Sequence, residues 1–289
     1  MKYCIPFNTD SKYLKSIDEL VINFRPGISE LRLQSFIDMH ADQRVTLDLN
    51  STQPTEELKK AIINLHNKEN FSLRFKKDNA AALECISDLD IKWYFTDPAM
   101  TYDDIYVYKT LGASEFFIGA QLGFDLPHCK AIAQSLKMQI RSIYAYAVEK
   151  SPFYKNYWQY FIRPEDIPLY DVYLDTVEFY GEPHIVNLLV KTYKAEKWNG
   201  PLNEIIPIID KTYDSRFIIP HWGRRRISCN RKCMYDDSCT MCETIYNLSQ
   251  SLEKARIIIP PEIRGAKAEQ IIIDEISLEE SEPEIKPNF

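Results

Sequence analysis

A chain of 289 residues with 45% hydrophobic and 27% charged side chains has the proportions of a folded protein with a sizeable core, which excludes disordered, collagen-like and disulfide-miniature classes. Its formal charge of −7 gives no overall attraction to nucleic acid or to an anionic membrane, so any such contact must be local. Met1 to Ser11 hold no long apolar stretch, and nowhere do about eighteen apolar residues run together, so the sequence reads as a cytoplasmic, non-membrane protein.

Short apolar, β-branched or aromatic runs recur along the chain. The predicted strands are Tyr3–Phe7, Leu31–Ser35, Val45–Leu49, Phe71–Phe75, Ile91–Phe95, Glu115–Ala120, Gln139–Tyr144, Thr176–Tyr180 and Phe217–Trp222. Helix-like stretches lie among them: Ser11–Phe24, Thr55–Asn67, Asn79–Asp88, Tyr102–Gly112, Pro127–Leu136, Arg163–Leu174, His184–Lys197 and Leu202–Asp214. Pro54-Thr55-Glu56-Glu57 and Asp97-Pro98 place turn formers and acids ahead of helical segments, where they cap free amides and oppose the helix dipole.

Strand followed by helix, repeated, implies parallel pairing, either closed as a (β/α)8 TIM-type barrel or open as a doubly wound sheet. The number of strands favours the barrel. Leu31–Ser35 and Val45–Leu49 are too close for a full helix between them, so one of them reads as an accessory or hairpin strand and the barrel as irregular. The barrel domain spans residues 1–255, with a cysteine cluster at 229–242 and a closing helix Glu243–Ala255. Residues 256–289 form an extended acidic tail, where Asp274, Glu275, Glu279, Glu280, Glu282 and Glu284 face only Lys286. Within it, residues 270–276 have the β-branched content to add a strand to an exposed edge, so the tail is expected to engage another protein chain.

The strongest chemical signal is Cys229-x3-Cys233-x5-Cys239-x2-Cys242. Four thiolates at such spacing can converge on one zinc ion or one iron-sulfur cluster, and spacing alone does not choose between them. The competing reading is two disulfides or buried thiols. A cytoplasmic setting opposes the first, and the polar neighbours Asn230, Arg231, Asp236 and Asp237 oppose the second. Arg224, Arg225 and Arg226 precede the cluster and suit an anionic small molecule or RNA, although they can equally offset thiolate charge or pair with the acidic tail.

A second constellation lies at the ends of predicted strands: Asp48, Asn50, Arg74, Lys76, Asp97, Gln121, Asp125, Arg141, Glu178, Glu182 and His221. In a barrel these positions share one mouth, although charged residues also end strands simply because strands there meet water. Familiar nucleophile, phosphate-loop, dinucleotide and zinc-protease motifs are missing, and His40, His66, His128, His184 and His221 have no ligand spacing among themselves. The aromatic stretch from Phe153 to Phe161 reads either as a stacking surface or as a packed lid or interface anchor.

Gly112-Ala113-Ser114-Glu115-Phe116-Phe117-Ile118-Gly119, Arg163-Pro164-Glu165-Asp166-Ile167-Pro168-Leu169-Tyr170 and Val177-Glu178-Phe179-Tyr180-Gly181 resemble the collagenase-like peptidase superfamily. Its members have TIM-type barrels and include the accessory proteins of anaerobic ubiquinone hydroxylation and RNA-hydroxylation proteins. The segment from Arg224 to Cys242 is similar to the region in which those members hold a [4Fe-4S] cluster on four cysteines, although here all four lie together. The resemblance implies an iron-sulfur barrel protein assisting an oxygen-independent hydroxylation or related modification. The alternative is a non-catalytic, zinc-stapled scaffold in a larger assembly such as a viral particle.

Overall fold

The computed structural model describes residues 1–7, 14–24, 29–50, 55–145, 160–206, 214–215, 218 and 222–229. Eight parallel strands follow one another around a closed barrel: β1 (Lys2–Pro6), β2 (Glu19–Asn23), β3 (Arg44–Asp48), β4 (Phe71–Phe75), β5 (Lys92–Ala99), β6 (Glu115–Ile118), β7 (Gln139–Ile143) and β8 (Thr176–Glu178). Pairing of β1 with β8 closes the ring. Helices lie outside it: α1 (Glu30–Met39), α2 (Glu56–Leu65), α3 (Ala80–Ile86), α4 (Tyr102–Thr110), α5 (Leu126–Leu136), α6 (Ile167–Tyr170), α7 (Pro183–Lys194) and α8 (Trp222–Ile227). This is the α/β, TIM-type architecture, and among the described residues no helix is long and apolar enough to cross a membrane.

Two predicted elements exchange identity. The stretch read as a helix over Ser11–Phe24 contains β2, and the strand predicted over Leu31–Ser35 lies inside α1. The sequence around β2 misleads because Ile17, Leu20, Val21 and Phe24 fall at helical spacing, whereas Leu20-Val21-Ile22 is the β-forming run that pairs in register with Val45, Thr46 and Leu47. Leu31-Arg32-Leu33-Gln34-Ser35 alternates like a strand. Its helix is set by the Ser29 side chain, which accepts from the Arg32 N–H, and by Leu33 and Ile37, one turn apart and both buried.

With α1 between β2 and β3, the irregularity sits elsewhere. Among the described residues β1 and β2 are joined through a single 3-10 turn, Leu14–Ser16, and the pairing of β5 with β6 shifts register between Phe95 and Ala99. Asp97 and Pro98 belong to β5 and do not cap α4, which is capped by Thr101 and Asp104 in a reciprocal capping box. The ninth predicted strand, Phe217–Trp222, adds no strand to the ring: Trp222 opens α8, and 217 and 219–221 lie outside the described residues. Of the predicted helix Leu202–Asp214, a 3-10 turn at Leu202–Glu204 forms, with 207–213 outside the described residues.

The apolar core lies between the barrel and its helices. Val45, Leu47, Leu73, Phe75, Phe95 and Ile140 are buried there, with Phe75 stacked on Trp93 and Phe95 packed on Tyr108 of α4. Alternation along each strand then sends the intervening residues into the barrel interior. Many of those residues are charged.

Candidate functional site

Packed barrel interiors are commonly filled by branched apolar side chains. Here, among the described residues, three arginines and four carboxylates occupy the interior. On the amino-end side, Arg141 of β7 donates from Nη1 to Glu19 Oε2 at 2.9 Å and to Glu115 Oε2 at 2.7 Å, and from Nη2 to Glu19 Oε1 at 3.0 Å. Arg44 of β3 pairs with Glu115 and donates through Nε to Ser72 Oγ at 2.8 Å. The hydroxyls of Thr46 and Tyr94 both donate to Glu19 Oε1, at 2.6 and 3.1 Å. The Arg141 guanidinium also lies over the Tyr94 ring, 4.2 Å from its centroid.

Toward the carboxyl ends of the strands, Arg74 of β4 donates through Nε to Asp48 Oδ2 at 2.8 Å and pairs with Glu178 of β8. Asn50 N–H donates to Asp48 Oδ1 at 2.8 Å, and Thr96 donates to Asn50 Oδ1 at 2.9 Å. These contacts tie β3, β4, β5 and β8 together at the mouth where barrels of this class bind ligands.

Electrostatics keep Glu19 and Arg141 ionised. Burial pushes the Glu19 carboxyl up, but the charges of Arg141 and Arg44 and hydrogen bonds from Arg141 and Thr46 outweigh it and lower the pKa to about 2. Burial opposes charge on Arg141 as well, and Glu19, Tyr94 and Glu115 hold its pKa well above the ordinary arginine value. Burial, then the Glu178 charge, drive the Tyr180 phenol well above its usual range.

A carboxyl whose pKa is depressed on folding stabilises the fold above its unfolded value, 4.5, and loses that contribution as pH falls toward 2. Glu19 alone accounts for roughly 3 kcal/mol over that window. The melting temperature is therefore expected to drop between about pH 5 and pH 2. In Glu19→Gln it starts lower at neutral pH and falls less over the same range; equal slopes in the two proteins would contradict the assignment.

The segment leading to the cysteines is anchored against the connection that follows β6. That connection is a 3-10 turn, Leu122–Phe124, followed by Asp125. Ser228 forms an antiparallel bridge with Asp125, and Arg226, buried, lies over the rings of Phe124 and Phe161 at 4.8 and 5.1 Å. Gly223 lets α8 approach Asp166, because a Cβ there would stand 2.7 Å from Asp166 Oδ1. Arg163 grips that carboxylate with Nε and Nη2, both at 2.7 Å, so Asp166 cannot yield freely. Gly223→Ala is expected to destabilise the protein by about 1–3 kcal/mol in urea denaturation, through overpacking against a fixed partner. An unchanged midpoint would show that α8 does not dock as described.

Cys229 follows immediately, half-buried, its N–H donating to the Arg226 carbonyl at 3.3 Å. The first predicted metal ligand thus stands beside a carboxyl-end connection of the barrel. Cys233, Cys239 and Cys242, the closing helix and the tail from 256 lie outside the described residues. Among the described residues no group of three or more His, Cys, Asp or Glu side chains is placed to hold a metal ion. Arg224 and Arg225 are exposed, whereas Arg226 is turned inward onto aromatic rings.

Of the strand-end constellation, the structure brings Asp48, Arg74, Arg141 and Glu178 into one network, with Asn50 at its rim. Asp97 instead accepts from the Lys77 N–H, Lys76 and Glu182 are exposed, and His221 lies outside the described residues. Asp125 accepts from the Tyr102 hydroxyl and has His128 Nδ1 at 3.6 Å. Of the aromatic stretch, Tyr160 and Phe161 are packed: Tyr160 bonds Ser142 at 2.9 Å and lies against Gly123, where a Cβ would collide with its ring. Sequence reading missed Glu19, Arg44, Tyr94 and Glu115 in the network. Glu19 was hidden by the helical reading of β2, and Arg44 sits just ahead of a recognised strand.

No protein-family model matches the chain, and no curated protein matches it. Solved structures do match. The U32 peptidase Mk0906 aligns at a TM-score of 0.42 and 11% identity, covering 63% of this chain and 94% of that one. A cube-shaped, highly porous protein cage designed by fusing symmetric oligomeric domains aligns at 0.43 and 10%, covering 98% and 95%. RipC from Yersinia pestis aligns at 0.33 and 10%, covering 66% and 94%. The likeness is one of fold alone, and the barrel assignment rests on the pairing of the eight strands.

Proposed function

We propose that the chain is a metal-binding barrel protein in which Cys229, Cys233, Cys239 and Cys242 hold one [4Fe-4S] cluster or one zinc ion at the carboxyl-end face. The observation that carries this reading is the position of Cys229, delivered by α8 to the connection after β6. A four-thiolate donor set fits either centre. A cluster would supply electron transfer, and zinc would supply a structural tie.

In the iron-sulfur reading the chain assists an oxygen-independent hydroxylation or related modification. Arg224 and Arg225, the exposed members of the arginine run, face an anionic substrate, and Arg226 fixes the helix that carries them. Purification without oxygen, followed by metal and sulfide analysis and a visible spectrum, tests the proposal. Iron with sulfide supports the redox protein, zinc supports the tie, and a metal-free chain refutes both.

One observation favours the scaffold as a second reading: the charged groups of the barrel interior are largely engaged with one another. Turnover that depends on reductant and is lost in Cys229→Ser would eliminate the scaffold. The tail belongs to this reading. A closed barrel offers no free strand edge among the described residues, so strand addition by residues 270–276 requires a different acceptor. Deleting 270–289 is expected to reduce the assembled mass in light scattering while leaving the thermal transition intact; an unchanged mass and unchanged partner capture would reject tail docking.

A further inference from the structure

The mouth-side layer of the barrel interior carries more negative than positive charge. There Asp48 and Glu178 share Arg74, while Arg141, one layer below, is already engaged by Glu19 and Glu115. Glu178 is fully buried, and its Oε2 accepts no hydrogen bond. Arg141 Nη2 stands 3.7 Å away from it, beyond hydrogen-bonding reach. A buried charged acceptor left without a hydrogen bond forfeits its hydration with nothing in return, so this oxygen calls for a donor.

We propose that this layer binds a primary ammonium group, which donates to Glu178 Oε2 and offsets the unbalanced negative charge. The surroundings argue for an ammonium over a metal ion. Asp48 is already committed through both oxygens, to Arg74 and to the Asn50 N–H, and burial keeps the neighbouring Cys4 thiol neutral. Glu178 Oε2 alone offers a vacant acceptor, which is too few ligands for a cation that needs several. An ammonium needs only acceptors for its N–H groups and a compensating charge, and the Tyr180 hydroxyl lies within the same cluster. Tyr180, partly exposed, borders this layer and accepts from Arg74 Nη1 at 3.4 Å. The inference is independent of whether the cysteines hold a metal.

Thermal unfolding of the full chain at neutral pH, titrated with n-butylammonium chloride, n-butanol or potassium chloride, tests it. The melting temperature is expected to rise with butylammonium concentration, to stay level with the isosteric alcohol, and to rise less or not at all with potassium chloride. In Glu178→Gln the butylammonium-dependent rise disappears. Equal effects of the amine and the potassium salt, equal effects of amine and alcohol, or no effect of the amine would overturn the proposal. Should Glu178→Gln fail to fold, a crystal of the unaltered protein soaked in butylammonium decides. A nitrogen within hydrogen-bond distance of Glu178 Oε2 supports the site, and a water in its place overturns it. Repeating the titration with Nα-acetyl-lysine methylamide distinguishes a peptide lysine from a free amine as the source of the ammonium.

Discussion

Arg141→Ala is expected to lower stability by about 3–5 kcal/mol, because it removes one partner of a buried ionic network and leaves charges behind. Arg141 is wholly inaccessible to solvent and holds Glu19 and Glu115 simultaneously, while its guanidinium covers the Tyr94 ring. Without it, Arg44 remains the cation beside Glu19 and Glu115, and it lies 3.8 Å from Glu19. Arg141→Lys keeps the charge but cannot present a planar fork to two carboxylates, so an intermediate loss is expected. Equilibrium denaturation of the three proteins gives the order. A loss below about 1 kcal/mol for the alanine variant would mean that the network is not assembled as described.

The second large effect concerns metal. Cys229→Ser is expected to abolish tight metal retention and to leave the cooperative unfolding of the barrel in place. Cys229 lies outside the buried hydrophobic core, which is built from the strands and their helices. Structural four-thiolate sites lose most of their affinity when one ligand is removed, since binding energies of about 10–16 kcal/mol depend on the complete set. Cys4→Ser serves as the control. Cys4 faces the barrel interior on β1 beside Glu178 and Glu19, and burial raises its thiol pKa, so it is no candidate ligand. Metal retained in full by Cys229→Ser would remove this residue from the ligand set.

The sequence carried the fold class because repeated strand-helix alternation has a physical cause: outward-facing apolar residues on each strand need a covering helix. It misplaced β2 and α1 for an equally physical reason. Leu20-Val21-Ile22 is uniformly apolar and fits both periods, and Leu31-Arg32-Leu33 alternates although it is helical, so pairing with β1 and β3 and the Ser29 cap decided what periodicity alone did not.

The site was partly legible. Asp48, Arg74, Arg141 and Glu178 are visible as charged residues within or at the ends of strands. That they meet Glu19, Glu115 and Arg44 inside the barrel is a consequence of closure, which lets side chains of β3 and β6, and of β4 and β8, meet across the interior. No local pattern records a contact between residues separated by 71 or 104 positions. The reverse holds for Arg224, Arg225 and Arg226. Their adjacency suggested one patch, but helical geometry turns Arg226 onto Phe124 and Phe161 while its two neighbours face solvent.

X-ray absorption at the metal edge, on protein purified without oxygen, addresses the central proposal most directly because it reads the ligand atoms themselves. A first shell made of sulfur alone is expected, at about 2.3 Å if the metal is zinc, with an additional iron-iron scattering path if the centre is a cluster. A shell dominated by nitrogen or oxygen, or a protein that carries no metal at one equivalent per chain, would contradict it.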